Sequence, residues 1–154
     1  MKSREFTLLA VLSLVIIILT GCFGGPSPIR VKGSMQASED VNPDSGGRPS
    51  PIVVRIYQLR SPTAFQNADF FALFNKAAAT LGNDLVTWEE IVLQPNDTRV
   101  YNTKLDLSTK YIGVFAAYRD YEKAHWRELV TIPDKEKLPL QIKLESLAVS
   151  VVID

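Results

Sequence analysis

The sequence predicts an all-β domain, a sandwich or a barrel of about eight strands, with one short helical insertion after the second strand. Three observations carry this reading. Apolar and polar residues alternate in short runs along most of the chain, turn formers separate those runs, and one segment switches to a spacing of three and four. The length agrees, since 154 residues suit one core of roughly 100–200 residues.

The chain opens on the basic-leaning stretch Met1-Lys2-Ser3-Arg4-Glu5, and residues 6–19 are then apolar apart from Thr7 and Ser13. A helix needs roughly 20 apolar residues to cross the hydrocarbon core, so this shorter run reads as the h-region of a signal peptide. It ends in Leu19-Thr20-Gly21-Cys22. Small residues at Thr20 and Gly21 let a peptidase grip the backbone closely, and the Cys22 thiol is what a lipid transferase needs. The tetrapeptide resembles a bacterial lipobox, which implies cleavage after Gly21 and a diacylglyceryl thioether plus an N-acyl chain on Cys22. A buried cysteine ending a membrane anchor is the alternative. The short run, the missing charged stop and the lack of a second cysteine weigh against it.

The expected organisation is a cleaved signal peptide at 1–21, a lipidated Cys22 with a flexible tether at 22–28, and a β domain at 29–154. The tether, Phe23-Gly24-Gly25-Pro26-Ser27-Pro28, cannot hold regular structure. Phe23 stands where lipoprotein sorting reads an aspartate as inner-membrane retention, so the resemblance implies the outer membrane, facing the periplasm.

In the β domain, residues 29–37 alternate strictly, with Ile29, Val31, Gly33, Met35 and Ala37 on one face. Ile52–Leu59 repeats the pattern through Ile52, Val54 and Ile56. After it, Ser61 offers an N-cap and Pro62 a first helical residue. Phe70, Leu73, Phe74, Ala77 and Leu81 follow at helical spacing, and Gly82-Asn83 is a stop signal. This is a short helix, whole or broken in two, that packs its aromatic stripe on the sheet; an exposed aromatic ridge for docking is the alternative. Weaker strands follow at 84–93, at 98–107 with Tyr101, Leu105 and Leu107 on one side, and at 125–132 with Trp126, Val130 and Ile132. Residues 111–118 are apolar on both faces, as a central strand requires. The chain closes with 138–145 and 147–153, separated by a tight turn at Glu145-Ser146.

Chemistry is sparse. Net charge is formally zero with no Lys/Arg run, so nothing suggests a nucleic-acid partner. One cysteine forms no intramolecular disulfide, and one histidine makes no His-rich metal site. Phosphate loops and nucleophile elbows are absent, so no metal and no cofactor beyond the covalent lipid is expected, and the protein is read as a non-enzyme. His125 reads as a strand-edge residue with no serine or acid neighbour. Glu89 and Glu90 occupy successive strand positions and point to opposite faces. The turn Asp134-Lys135-Glu136-Lys137 is solvated.

The informative segment is the connection 38–50. Hairpin loops usually take about 2–5 residues, and longer ones are commonly functional or disordered. Asn42-Pro43-Asp44 initiates a turn, Gly46-Gly47 frees the backbone, and Pro49 and Pro51 stiffen the exit. A disordered surface loop and a partner-binding loop both fit.

These residues carry a resemblance. The lipobox, the Asn-Pro-Asp loop ending in Gly-Arg-Pro-Ser-Pro, and Ile-Val-Val-Arg-Ile-Tyr-Gln-Leu at 52–59 are similar to the type VI secretion lipoprotein family, TssJ. So are Phe65, Asp69-Phe70-Phe71-Ala72-Leu73, Leu81-Gly82-Asn83-Asp84-Leu85, the run from Gly113 to Asp120, and Trp126-Arg127. The resemblance implies a transthyretin-like two-sheet β-sandwich with an added helical segment. It also implies an outer-membrane anchor that binds the periplasmic domain of the inner-membrane protein TssM, which joins TssL. The loop between the first two strands would make that contact. Here it comprises Val41, Asn42, Pro43, Asp44, Ser45, Gly46, Gly47, Arg48, Pro49 and Ser50, with Arg48 pairing a carboxylate of the partner. Replacing 42–48 by a Gly-Ser hairpin should then spare stability. The competing function is a periplasmic lipoprotein that holds a lipid or small apolar ligand in a cavity lined by Val54, Val114 and Ile142. Near-neutral charge implies recognition by shape, with no large field to steer it.

Overall fold

The computed structural model describes Gly25 and residues 27–153. The segment read as a signal peptide (1–21), Cys22, residues 23, 24 and 26 of the tether, and Asp154 lie outside the described residues.

Among the described residues, eight strands form two four-stranded sheets, so the fold is a sandwich. The first sheet contains β1 (Arg30–Ala37), β4 (Thr98–Lys104), β7 (Lys137–Leu144) and β8 (Val149–Ile153), in the order β4-β1-β7-β8. The second contains β2 (Ile52–Leu59), β3 (Leu85–Leu93), β5 (Tyr111–Ala116) and β6 (Arg127–Thr131), in the order β3-β2-β5-β6. All neighbouring pairs are antiparallel except β1 and β7, which run parallel in the middle of the first sheet. Parallel neighbours need a long crossover, and here the whole second sheet together with β4 serves as that crossover.

Alternation along each strand decides what is buried. Val31, Met35, Leu138, Leu140, Ile142 and Leu144 face inward from the first sheet and meet Ile52, Val54, Ile56, Ile112 and Val114 from the second. Val54, Val114 and Ile142, the expected cavity lining, are at most 1% exposed within this continuous core. Opposite them, the outward register positions of the first sheet carry Arg30, Lys32, Lys104, Lys137 and Lys143 and no carboxylate. Net neutrality therefore conceals a polarised surface.

The second sheet is apolar on both sides because helices cover its outer face. α1 (Thr63–Asn67) and α2 (Phe70–Leu81) bury Phe65, Phe70, Leu73, Ala77 and Leu81 against Tyr57, Leu59 and Phe115. The helical segment is broken in two at Ala68, whose backbone is extended, and Asp69 restarts it by accepting the Ala72 N–H at 2.8 Å. The expected start is corrected by one position: Pro62 is the cap of α1 and not its first residue. Ser61 Oγ accepts the Thr63 N–H at 3.4 Å, as a turn would. On the stripe, Phe74 sits at the rim, 36% exposed, beside Phe71 at 51%.

Four element limits also move. The strand expected at 98–107 ends at Lys104, and Leu107 is exposed. The side-chain oxygen of Gln58 takes the Asp106 N–H at 2.9 Å, and Asp106 then turns the chain through the Ser108 N–H. The strand expected at 111–118 ends at Ala116, and that at 125–132 keeps only Arg127–Thr131, with His125 in an isolated bridge to Ala148. The turn between the last two strands is longer than Glu145-Ser146. Leu144 pairs with Val149, and the Glu145 N–H reaches Ala148 O at 2.8 Å, closing four residues. Glu89 and Glu90 do diverge: Glu89 accepts the Tyr101 hydroxyl toward the first sheet, while Glu90 pairs with Arg55 on the helical side.

Candidate functional site

Three of the four connections at the end of the sandwich where β1 finishes meet around one residue. They are the β1–β2 loop, the β5–β6 connection at 117–126, and the β7–β8 turn. The second was hidden in the sequence, because its apolar start extends the strand pattern to Tyr118 and His125-Trp126 resembles the next strand. The charge cluster Arg119-Asp120 and Glu122-Lys123 was the available signal.

Asn42 ties the three together. It is 2% exposed with φ +52°, a left-handed conformation that asparagine tolerates. Its N–H donates to Ser146 O at 3.0 Å, its Nδ2 donates to Pro51 O at 2.8 Å, and its Oδ1 accepts the Arg119 N–H at 2.8 Å. Tyr118 adds a hydroxyl bond to Glu145 O at 3.0 Å. The loop is thus ordered at its base.

Its projecting part is organised by one carboxylate. Asp44 Oδ1 accepts the N–H groups of Gly46 at 2.8 Å and Arg48 at 3.0 Å, while Oδ2 takes the Arg48 guanidinium at 2.8 and 2.9 Å. The Gly47 N–H closes on Asp44 O at 2.9 Å, and Gly47 takes φ +77°, which glycine allows without a Cβ penalty. The Arg48 N–H first, and its guanidinium next, hold the Asp44 carboxyl below its ordinary range against the opposing effect of burial.

Of the ten expected binding residues, the structure exposes Ser45, Gly46, Gly47, Arg48 and Pro49 and half-buries Pro43 and Asp44. Val41, Asn42 and Ser50 are buried and belong to the scaffold. Two expectations change accordingly. Arg48 already has a carboxylate partner within its own loop, in a preassembled Asp44–Arg48 pair. Exchanging 42–48 wholesale would remove Asn42 and unpin three connections, so it would not spare stability. Beside the loop lies an open cleft of about 540 Å³, lined by Pro43, Asp44, Ser45, Arg119, Asp120 and Leu147. Arg119, Asp120 and Leu147 extend the candidate surface beyond the segment read from sequence.

His125, also at this end, does have an acidic neighbour: its Nε2 lies 2.9 Å from Glu128 Oε2, both on the surface. Such a pair lacks a nucleophile here and reads as a surface contact. No group of three or more potential metal ligands occurs among the described residues, nor does any helix there have the length and apolarity to cross a membrane.

Comparison with known proteins follows the same lines. The family model described as type VI secretion lipoprotein, VasD, EvfM, TssJ matches residues 29–147. The T6SS lipoprotein TssJ1 from Pseudomonas aeruginosa is similar at 38% identity and a TM-score of 0.80, over 83% of this chain and 98% of that one. Serratia marcescens Lip, a membrane-bound component of the type VI secretion system, is similar at 30% identity and a TM-score of 0.76, over 82% and 97%. A chain from the structure described as the T6SS protein TssM C-terminal domain from EAEC is similar at 28% identity and a TM-score of 0.67, over 80% and 97%. No curated protein sequence matches. With its sandwich, its helical layer and the greater part of its length shared with these proteins, the chain belongs to the type VI secretion lipoprotein family.

Proposed function

We propose that the protein is a non-enzymatic anchor of the type VI secretion envelope complex, held in the outer membrane by acyl chains on Cys22. Its loop end binds the periplasmic domain of TssM, and through TssM it is joined to TssL. One acyl chain binds membranes marginally, whereas two or three anchor durably, so a triacylated Cys22 suffices as the membrane attachment.

The observation that carries the reading is the rigid loop itself. Five consecutive residues, Ser45 to Pro49, stand in solvent on a base pinned by Asn42 and a bend closed by Asp44. Loop ordering is an entropic cost that a preorganised surface has already met before binding. The loop also leaves the sandwich at the Ala37 end of β1, while the tether enters at the Arg30 end. Membrane attachment and partner contact therefore lie at opposite ends of one strand, roughly 24 Å apart at about 3.3 Å per residue. The family membership and the similarity to a chain from the TssM C-terminal domain structure support the same assignment.

The test separates the two ends. Cys22→Ser should release the protein from outer-membrane fractions and abolish secretion with the fold intact; secretion without membrane association overturns the anchor. Arg48→Glu reverses the exposed charge and leaves Asn42 in place. It should weaken binding to the TssM periplasmic domain at least about tenfold, the cost of losing one well-placed charged contact, and lower the melting temperature only slightly, because the Asp44–Arg48 pair it breaks is a surface one. Unaltered affinity moves the interface off this loop.

A further inference from the structure

The chain is neutral, but its charges are segregated. Strand register places Lys104, Arg30 and Lys137 side by side in one row across β4, β1 and β7. Adjacent strands lie about 4.8 Å apart, so the row spans roughly 10 Å. One step up the same face stand Lys32 and Asn102, and Lys143 lies farther along. All five cations are exposed, and none joins an ion pair among the described residues. The strands hold no carboxylate on this face. Asp106, Asp134, Glu136 and Glu145, the acids nearest in sequence, stand on the connections that leave the sheet. A shallow, open depression of about 560 Å³ lies over the paired strands β1 and β4 and is lined by Arg30, Val31, Lys32, Asn102, Thr103 and Lys104. That volume and charge fit phosphate headgroups.

The location of the patch selects the ligand. Arg30 is the first residue of β1, and Ile29 before it is seven residues on from Cys22. Seven residues reach at most about 25 Å even when fully extended. An acylated Cys22 would keep the cationic row within about 25 Å of the leaflet, close enough to reach the layer of about one Debye length, roughly 8–10 Å, in which each Lys or Arg is drawn to anionic lipid. An acidic protein would have to compete with a surface that the tether keeps permanently close.

We propose that the Arg30, Lys32, Lys104 and Lys137 face docks on anionic phospholipid headgroups, as a second membrane contact that orients the sandwich. The inference rests on the lipid anchor proposed above. Docking turns the tether end of β1 to the leaflet and directs the Asp44–Arg48 loop into the periplasm. The acyl chains supply attachment, and the cations supply direction.

The acylated full chain is reconstituted with vesicles of phosphatidylcholine alone or with about 30% phosphatidylglycerol, and its lysines are acetylated under each condition. Flotation reads anchoring, and labelling rates read docking. Lys32, Lys104 and Lys137 should label at least about threefold more slowly on the anionic vesicles at about 50 mM salt. The protection should vanish near 0.5 M salt, where the Debye length falls to a few ångström. Lys76 and Lys123 should label equally on both. Lys32→Glu with Lys104→Glu, exposed changes that leave the core alone, should abolish the protection of Lys137. Flotation on both vesicles with equal labelling overturns docking and leaves the anchor standing. Flotation on anionic vesicles alone, with protection, supports docking and removes the anchor. Flotation on neither removes both. Protection that appears on both vesicles only after periplasmic extract is added assigns the face to an acidic protein and overturns the proposal.

Discussion

Asn42 and Asp44 are both polar loop residues two positions apart, yet they do opposite work. Asn42 directs its N–H, its Nδ2 and its Oδ1 inward, to three separate connections. Asp44 spends its capacity on shaping the exposed bend. A sequence shows both as turn formers beside Pro43, and only the tertiary neighbours Arg119, Pro51 and Ser146 separate them. The pH behaviour of the bend follows from Asp44. Its carboxyl titrates below the ordinary value of 3.8, chiefly through the Arg48 N–H and guanidinium. A lowered folded-state value means the ionised form is the one the bend stabilises. The stabilisation is fully present above the ordinary value and is lost as pH falls through the lowered one. The Arg48 amide resonance should therefore stay constant from neutral pH to about 4 and move only below that. A midpoint at or above the ordinary carboxylate value would show that the Asp44–Arg48 closure does not hold in solution.

At the scale of elements, the helical layer depends on what the second sheet lacks. Gly113 lies on the outer face of β5, and a Cβ there would sit 2.8 to 3.0 Å from the ring atoms of Phe65. Phe65 is completely buried and packs tilted against Tyr57, with ring centroids 5.7 Å apart, so the ring can retreat only by displacing its neighbours. Arg127 then fastens the same turn by donating to Phe65 O at 3.0 Å, in α1, and to Ala68 O at 2.7 Å, just past its end. Arg55 does likewise for α2, whose helical geometry fails at Lys76. It donates to Leu73 O at 3.1 Å and Phe74 O at 2.6 Å while pairing with Glu90 at 2.7 Å. Gly113→Ala should destabilise the fold by about 1–3 kcal/mol, the usual range for overpacking. Phe65→Leu in the same chain should return part of that loss, with a coupling energy above about 0.5 kcal/mol in urea unfolding. Simple additivity would remove the ring as the obstacle. No side-chain rescue exists at Gly33, where the obstacle is the Leu140 carbonyl oxygen 2.0 Å from a Cβ.

For the whole molecule, strand existence was legible because alternation is local, and strand order was not because pairing is remote. Residues 29–37 and 138–145 have the same alternating pattern, but nothing within either run says that they lie parallel and adjacent. The loop 38–50 was legible as a candidate site by its length and turn formers. The β5–β6 connection that completes the surface was not, since Ala117 and Tyr118 continue an apolar run. The same remote pairing makes the molecule a single cooperative unit. β2 and β5 turn Val54, Ile56, Ile112 and Val114 toward the sandwich core, and they turn Tyr57, Leu59 and Phe115 toward the helices. Neither core can lose its wall without exposing the other. Unfolding followed by the aromatic near-ultraviolet signal, to which the Phe70, Phe115, Tyr121 and Trp126 cluster under the helices contributes, should coincide with the far-ultraviolet signal of the sheets. A shared urea midpoint is the expected outcome for a two-state domain. An aromatic transition at lower urea would show that the helical layer detaches from an intact sandwich, and that the second core adds little to the stability of the first.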